Sequence, residues 1–234
     1  MSPATAVAVA VMAKAPRAGA VKTRLCPPAS PREAAALARC FLRDRVAQVR
    51  ELTGVSRVIA FTPASERGVF QRLAPDFTLI VQHGTDLGAR MRSTLATLLA
   101  SGHRAAIAIG TDTPTLPTTV IQLAVDRIAS PDVDVVLGPA DDGGYYLIGV
   151  RADHPTLFDD VTWSTSTVLE ITLQRARAVG LHTACVSPWF DVDTPDDVTR
   201  LRAALIENPH VAPATRRFLE RQEACRLRRA ISAP

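Results

Sequence analysis

Short apolar runs alternate with longer amphipathic stretches along most of the chain. Runs rich in β-branched residues predict buried strands, and apolar residues at helical spacing predict helices. The predicted strands are residues 6–13, 55–63, 77–82, 104–112, 132–140, 145–150 and 181–187. The predicted helices are residues 31–52, 65–74, 86–102, 118–129, 163–180 and 195–205. This alternation predicts a three-layer α/β/α, Rossmann-like domain with a mostly parallel sheet.

One part of the predicted sheet departs from the parallel pattern. The strands at residues 132–140 and 145–150 are separated only by a short segment that contains Gly143 and Gly144. A connection this short joins antiparallel neighbours, because a parallel crossover needs a dozen or more residues. We therefore expect a short antiparallel excursion within the parallel sheet.

Composition and charge narrow the class of protein only moderately. The chain has 234 residues, of which 47% are hydrophobic, and a net charge of +4. These values are typical of a folded soluble domain, and the modest positive charge suits the binding of anionic ligands. Four separated cysteines without a CxxC pair argue against a disulfide framework or a thiolate zinc site. The first apolar run is too short to span a bilayer. We expect a cytoplasmic protein with neither membrane nor nucleic-acid partners.

The opening loop, within "MAKAPRAGAVKTRL", contains four cations close to the end of the first strand. In open α/β sheets, ligands bind beyond the carboxyl ends of the strands. Lys14, Arg17, Lys22 and Arg24 are therefore candidates for binding phosphate groups, and Gly19 would let the backbone approach them. The loop matches neither the P-loop nor the GxGxxG motif. A solvated surface loop is the alternative.

Two later segments place aspartates after strands. Asp112 in "IAIGTDTPTL" follows an apolar strand, and Asp191 and Asp193 lie in "WFDVDTPDDVTRL". Mg²⁺ binds one or two carboxylates and completes its shell with phosphates and water, so Asp112 and a later aspartate are candidate metal ligands. The alternative for Asp112 is a turn or helix cap, and Thr194 and the acids after it are explained by helix capping alone.

Three more loops at this edge supply candidates for holding the two substrates. Asp86 and Gly88 enter a helix where a base or ribose could lie against the backbone. The "GPADDGGYY" turn and the hydroxyl-rich "TWSTST" segment are candidates for the acceptor site, although an acidic hairpin turn and a helix cap explain them equally well. The acceptor candidates are Asp142, Gly143, Gly144, Tyr145, Trp163, Ser164 and Thr165. The five histidines have no metal-ligand spacing and receive no role.

Five motifs together resemble a known bacterial family. They are "AKAPRAGAVKTRL", "GTDTPTL", "LGPADDGGYYLIG", "WSTSTVL" and "DVDTPDDVTRL". In sequence and order they resemble the motifs of a bacterial family known as radical-SAM/selenodomain-associated transferases. This family is glycosyltransferase A-like and belongs to the nucleotide-diphospho-sugar transferase superfamily. This group is related to phospholactate and molybdenum-cofactor guanylyltransferases and to CMP-Kdo synthetase. The resemblance runs from about Val7 to Leu205.

The resemblance implies a fold, a cofactor and site roles. It implies a GT-A-like domain over residues 1–210. The mixed charges of the tail separately predict a basic helical extension over residues 211–234. Mg²⁺ or Mn²⁺ would be bound by Asp112 and Asp193, and "AGAVKTR" would bind a triphosphate. Lys22, Arg24 and Asp112 would be the catalytic residues. The chain departs from the relatives in lacking a full GxGxR loop and a strict DxD motif.

The leading expectation is transfer of a nucleoside monophosphate from a nucleoside triphosphate to a small phosphorylated or acidic acceptor, with release of pyrophosphate. The departures from the GxGxR and DxD motifs leave the donor open, so glycosyl transfer from a nucleotide sugar is the rival reaction. A nucleotide-binding protein without catalysis is the third alternative. The base, the acceptor and formation of a homodimer stay open at this point.

Overall fold

The computed structural model of the protein describes residues 7–231 and contains one seven-stranded sheet. The strand order is β3-β2-β1-β4-β6-β5-β7. The strands are β1 (Val7–Lys14), β2 (Val55–Thr62), β3 (Thr78–Val81), β4 (Ala105–Ile109), β5 (Val135–Pro139), β6 (Tyr145–Val150) and β7 (Thr183–Cys185). Each predicted strand is present, although Ala6, where the first was expected to begin, lies outside the described residues.

The helices lie on both sides of this sheet. They are α1 (Pro31–Glu51), α2 (Arg67–Leu73), α3 (Leu87–Ala100), α4 (Thr118–Ala129), α5 (Val168–Ala178), α6 (Pro195–Glu207) and α7 (Pro213–Ile231). Side chains of α1, α2 and α4 pack against one face, and those of α3 and α5 against the other. The three-layer α/β/α prediction is confirmed.

The antiparallel excursion is also confirmed, and it consists of one strand. β6 pairs antiparallel with both β4 and β5, whereas the other paired strands run parallel. The chain reverses between β5 and β6 at Gly143, whose φ of 87° lies in the region that favours glycine. Gly143 N–H donates to the carbonyl of Ala140 over 3.1 Å, which closes the turn.

The largest error in the predicted elements concerns the start of α5. The sequence predicts a helix from Trp163, but α5 begins only at Val168. Hydroxyl side chains compete with helical hydrogen bonds by bonding to nearby backbone groups. Here Thr165 Oγ1 donates to the carbonyl of Thr162 over 2.8 Å, and Ser164 has a φ of 66°. Residues 163–167 therefore form a loop.

A third apolar cluster joins α1, α6 and α7. It includes Phe41, Leu201 and Leu219, one from each helix. The buried carboxylate of Asp44 accepts hydrogen bonds from the N–H groups of Ala214 and Thr215, at 2.9 Å each. This anchors the beginning of α7, although the predicted domain division at residue 210 remains a prediction. Within the described residues, no helix is both long and apolar enough to cross a membrane.

Candidate functional site

The candidate site lies where the order of the strands reverses. From β1 the chain builds outward to β2 and β3, and then returns to place β4 on the other side of β1. Both β1 and β4 are parallel, so the loops after them leave the sheet at the same edge. Ligands of open α/β sheets bind in such a crevice. This position brings Lys22, in the loop after β1, close to Asp112, in the loop after β4.

Lys22 joins the two acidic segments that the sequence predicts to be functional. Its Nζ lies 2.8 Å from Oδ1 of Asp112 and 2.8 Å from Oδ1 of Asp193. The Lys22 side chain is only 5% exposed, against 44% for Asp112 and 28% for Asp193. The Arg24 guanidinium forms a salt bridge with the other oxygen of Asp193. The acids and cations predicted from distant segments therefore share one cluster.

The local backbone explains how Lys22 and Arg24 reach the same carboxylate. Lys22 has a left-handed conformation, with φ 50° and ψ 39°, and precedes a 3-10 turn over Thr23–Leu25. Leu25 is buried in the apolar cluster of α1, α6 and α7 and anchors this turn. The aromatic ring of Phe41, in α1, lies below the Lys22 ammonium with its centroid 5.5 Å from Nζ. These contacts hold the ammonium in place.

The pKa values of Lys22 and Asp191 in this cluster are both raised. Burial alone would lower the pKa of Lys22, but the carboxylates of Asp112 and Asp193 outweigh it and raise the pKa. The pKa of Asp191 is raised to about 7, chiefly by burial and further by the negative charges of Asp112, Asp142 and Asp193. Lys22 acts in the opposite direction on Asp191. The protonated form of Asp191 is therefore favoured by burial and by three neighbouring carboxylates, and Lys22 offsets these effects only in part.

Hydrogen bonds tie the segments that carry the acids to each other. Val192 N–H donates to the carbonyl of Asp112 over 2.9 Å. Trp189 Nε1–H donates to Thr115 Oγ1 over 3.1 Å. Asp193 itself precedes α6, which begins with a capping box formed by Thr194 and Asp197. The predicted cap of α6 is thus confirmed.

The loop after β4 rests on a buried arginine that sequence reasoning missed. Arg45 of α1 is fully buried and donates from Nε to the carbonyl of Gly110 over 3.0 Å. Its Nη2 donates to the carbonyl and Oγ1 of Thr113, at 2.8 and 2.5 Å. Arg45 lies on the apolar stripe of α1, four residues after Phe41, and a charge in that position was the available signal. Of the alternatives for Asp112, the helix cap is wrong, because α4 begins after Pro117 without a side-chain cap. A turn is present beside it, since Leu116 N–H donates to the carbonyl of Thr113 over 3.1 Å.

The other cations of the opening loop do not join the cluster. Arg17 forms a salt bridge with Glu66, beside the start of α2. Lys14 is exposed at the end of β1. Gly19 has a φ of 75°, and a side chain at its position would meet open space. The structure thus separates Lys22 and Arg24 from Lys14 and Arg17, and the roles predicted for all four remain predictions.

The candidates for base and acceptor binding form a second, adjoining group. A Cβ on Gly88 would lie 2.1 Å from the Trp163 ring, and one on Gly143 would lie 2.0 Å from the carbonyl oxygen of Ser166. The space expected to admit a ligand at these two glycines is therefore filled by the protein. Trp163 meets Tyr145 edge to face, with ring centroids 6.4 Å apart.

Asp86 and Asp142 in this second group have local backbone partners. Asp86 caps α3 by accepting a hydrogen bond from Ala89 N–H. Asp142 Oδ1 accepts from Gly144 N–H over 2.9 Å. Ser164 is exposed, and Thr165 is half-buried. Asp142 connects this group with the first cluster, since its charge acts on Asp191.

The two carboxylates around Lys22 fit a metal site of one particular kind. Within residues 7–231, no group of three or more acidic, histidine or cysteine side chains is placed to hold a metal. Mg²⁺, however, commonly uses one or two carboxylates and takes its remaining ligands from substrate phosphates and water. Asp112 and Asp193 are both partly exposed and share one cationic partner. They fit an ion that arrives with a phosphorylated substrate.

Solved structures with the same fold include one of similar sequence. A "putative nucleotide-diphospho-sugar transferase" from Desulfovibrio desulfuricans G20 is 30% identical, with a TM-score of 0.87, over 94% of this chain and 96% of that one. CMP:2-keto-3-deoxy-manno-octonic acid synthetase complexed with CTP is 13% identical, with a TM-score of 0.56, over 86% and 98% of the two chains. A cytidylyltransferase from Leptospira borgpetersenii is 10% identical, with a TM-score of 0.56, over 94% and 96%. At these lower identities, the last two show the fold alone.

Sequence comparison identifies the family. No curated protein matches this sequence. A family model described as "Uncharacterized protein conserved in bacteria (DUF2064)" matches residues 45–165, which include Arg45, Asp112 and the β5–β6 turn. This match spans more than half of the chain, and the protein therefore belongs to the bacterial DUF2064 family.

Proposed function

We propose that this protein is a divalent-metal-dependent, nucleotide-using transferase. We further propose that it joins a nucleoside monophosphate from a nucleoside triphosphate to a small phosphorylated or acidic acceptor. The observation that carries the proposal is the placement of Lys22 Nζ between Asp112 and Asp193 at the point where the strand order reverses. The fold shared with a cytidylyltransferase and with a synthetase bound to CTP supports the nucleotide class.

In this reaction an acceptor oxygen would attack the α-phosphorus of the triphosphate. The bond from that phosphorus to the oxygen bridging to the β-phosphate would break, and pyrophosphate would leave with the electron pair of the broken bond. An ammonium has three N–H donors. Two of those on Lys22 point to carboxylates, which leaves one for a phosphate oxygen. Fixed charges of this kind stabilise the transition state without reorganising.

Arg24 has a different part in the proposal. Its side chain is 69% exposed, although it is paired with Asp193. Since exposed ion pairs are weak, a polyphosphate could draw Arg24 away from Asp193 at little cost. A guanidinium presents several donors in a planar fork that suits phosphate oxygens. We assign Arg24 to the leaving pyrophosphate, and Lys14, Arg17 and Gly19 to the outer part of the triphosphate site.

Asp112 and Asp193 would hold Mg²⁺ or Mn²⁺, and the ion, when bound, would neutralise charge on the phosphates. Oδ2 of Asp112 is available for this, because the contacts of Lys22 and Thr111 are with Oδ1. Lys22 would then remain beside the ion site as a second positive charge. We assign Asp86 to the nucleoside, with Gly88 supporting this loop by accommodating the ring of Trp163. The acceptor would contact Asp142, Ser164, Thr165 and the backbone around Gly144, with Tyr145 and Trp163 supporting these segments.

A second candidate reaction is favoured by one finding. The relative that is 30% identical is described as a "putative nucleotide-diphospho-sugar transferase". With a nucleotide-sugar donor, an acceptor hydroxyl would attack the anomeric carbon, and the nucleoside diphosphate would leave. The resemblance of the sequence motifs to guanylyltransferases suggests guanine as one base to test, and the fold shared with the CTP-bound synthetase suggests cytosine as another.

The donor is tested by incubating the protein with Mg²⁺, each nucleoside triphosphate and a panel of phosphorylated and acidic acceptors. We expect release of pyrophosphate that depends on both substrates. Hydrolysis of a nucleotide sugar, with no pyrophosphate from any triphosphate, would establish the second candidate instead. Thermal stabilisation by nucleotides without turnover of either donor would indicate a nucleotide-binding protein that is not catalytic.

Asp112→Asn tests the site itself. The amide keeps the size of the side chain but loses the charge that pairs with Lys22 and would bind the metal, so turnover should fall by about 100-fold or more. Asp126→Asn is the matched control, because Asp126 is exposed on α4 and outside both groups of candidate residues. Equal activity of the two variants would remove Asp112 from the site.

A further inference from the structure

The guanidinium of Arg45 is the most deeply buried charge near the candidate site. Arg45 is 0% exposed, and burial lowers its pKa to about 10, so it stays charged at neutral pH. Burying a charge is costly unless its donors are satisfied. Apolar side chains of similar volume often give equal or greater stability than a buried ion pair. A fully buried arginine therefore calls for an explanation beyond core packing.

The donors of Arg45 converge on the loop that carries Asp112. Nε bonds to the carbonyl of Gly110, two residues before Asp112, and Nη2 bonds to Thr113, the residue after it. The third nitrogen, Nη1, donates to Gln48 Oε1 over 2.8 Å, one turn further along α1. The planar fork thus holds the main chain on both sides of Asp112.

Gln48 extends the same support along the loop. Its Nε2 donates to the carbonyl of Leu116 over 2.7 Å. Arg45 and Gln48 together therefore bind the carbonyls of Gly110, Thr113 and Leu116, which span the whole connection between β4 and the start of α4. We call these two side chains the carbonyl clamp.

The carbonyl clamp also reaches the second acidic segment through the backbone. Asp112 accepts a hydrogen bond from Val192 N–H, the residue before Asp193. Thr115, between the clamped residues Thr113 and Leu116, accepts one from the indole of Trp189. A displacement of the loop after β4 would thus be transmitted to both carboxylates that contact Lys22. The positive charge of Arg45 also attracts the carboxylates of Asp112 and Asp191.

We propose that Arg45, assisted by Gln48, is a positioning residue of the transferase site: it sets the separation of Asp112 and Asp193 through the backbone. The inference rests on the proposed function, because it assigns a catalytic consequence to that separation. It is distinct from the function itself, since the carbonyl clamp acts on the loop whether or not a nucleotide is the substrate.

Kinetic constants of Arg45→Gln and Arg45→Lys test this role in the pyrophosphate-release assay. A misplacement of about 1 Å can cost about 100-fold in rate, so we expect Arg45→Gln to lower kcat by about 30- to 100-fold. The KM for the triphosphate should change by less than about threefold, because ground-state binding is not removed. Arg45→Lys keeps the charge but lacks the fork, and should recover only a small part of the loss.

Two further variants separate positioning from stability. Asp44→Asn is the matched control: Asp44 is the adjacent buried residue and its charge acts on Arg45, but its hydrogen bonds go to Ala214 and Thr215 at the start of α7 and not to the loop after β4. It should lower thermal stability without lowering kcat. Gln48→Met removes the outer half of the carbonyl clamp and should lower kcat by about tenfold, even if the Arg45 variants fail to fold. Equal kcat in Arg45→Gln, Gln48→Met and the control would overturn the proposal.

Fluorescence makes the result independent of the proposed reaction. In a Trp163→Phe background, Trp189 is the single tryptophan, and it is bonded to the clamped loop through Thr115. Loss of the carbonyl clamp should shift Trp189 emission to longer wavelength, and Asp44→Asn should leave it unchanged. If no nucleotide substrate is turned over, the proposed function fails, but the emission still decides whether the clamp holds the loop. Unchanged emission in Arg45→Gln and Gln48→Met would refute the proposal that the carbonyl clamp holds the loop.

Discussion

Replacing Lys22 by methionine should lower the free energy of unfolding, because the carboxylates of Asp112 and Asp193 then lie close together without a cation between them. Methionine keeps most of the aliphatic stem over Phe41 but removes the ammonium that is 2.8 Å from both Asp112 and Asp193. Removing one partner of a fully buried ion pair costs about 3–5 kcal/mol. Solvent reaches both carboxylates, so we expect about 1–3 kcal/mol of lost unfolding free energy.

Urea unfolding at neutral pH measures this loss as a lower midpoint with an unchanged m-value. Lys14→Met is the matched control, because Lys14 is the only other lysine in the sequence and lies exposed at the end of β1. The same experiment with Mg²⁺ tests the metal site. Without the ammonium, an ion at ten times its dissociation constant would restore about 1.4 kcal/mol.

Two results would refute this reasoning about Lys22. A Lys22→Met variant as stable as the control would show that the carboxylates do not need the ammonium. Stabilisation by Mg²⁺ that is equal in Lys22→Met and in a Lys22→Met, Asp112→Asn double variant would show that the ion does not bind at Asp112.

The remaining predictions concern stability. Asp44→Asn should lower the unfolding free energy by about 1–3 kcal/mol, because a buried N–H donor at the start of α7 loses its charged acceptor. Gly88→Ala should cost about 1–3 kcal/mol, since the new methyl group overlaps the ring of Trp163. The hydrogen bond from Arg50 lowers the pKa of Asp76, so this pair stabilises the fold above about pH 3.8, and the gain is lost as the pH falls through the lowered pKa. The difference in unfolding free energy between wild type and Asp76→Asn should therefore disappear as the pH falls through that lowered pKa.

Each of these three has a decisive measurement. Urea unfolding gives the free energy for Asp44→Asn, and a change below about 0.5 kcal/mol would mean that Asp44 does not anchor α7. Gly68→Ala controls for Gly88→Ala: its nearest neighbour is the flexible end of Arg72, and alanine favours the helix, so stability should rise by about 0.5–1 kcal/mol. Unfolding midpoints of Asp76→Asn between pH 2 and 7 test the Arg50 pair, and a gap that widens towards pH 2 would contradict the sign.

Most of the fold could be predicted because local and global signals agree. The apolar runs that form β1 and β4 are continuous, as expected for strands buried on both faces. The start of α1 at Pro31 was also predicted, and in the structure Ser30 and Glu33 form a capping box there. The start of α5 was not, because the apolar spacing of residues 163–180 favours a helix throughout, while the hydroxyl groups of residues 164–167 favour a loop.

The structure brings together charged loop residues that the sequence singled out, whereas sequence reasoning missed the buried residues that support those loops. Asp112 and Lys22 follow neighbouring strands, so the rule about carboxyl ends of strands was enough to bring them together. Arg45 lies in a helix that is distant in sequence, and the helical period places it among core residues. The contacts of Gly88 and Gly143 were also missed, because sequence shows that a glycine admits a close neighbour but not which neighbour occupies the space.

Because the sequence contains only two lysines, chemical labelling of Lys22 can report on ligand binding at the site. Lys14 and Lys22 are the only lysines in the sequence, and the Lys22 side chain is almost fully shielded while it bridges its two carboxylates. Amine-reactive labels should therefore modify Lys14 quickly and Lys22 slowly. A ligand that draws the ammonium out of its bridge would raise the labelling rate of Lys22, so peptide mass spectrometry could screen for substrates before any reaction is known.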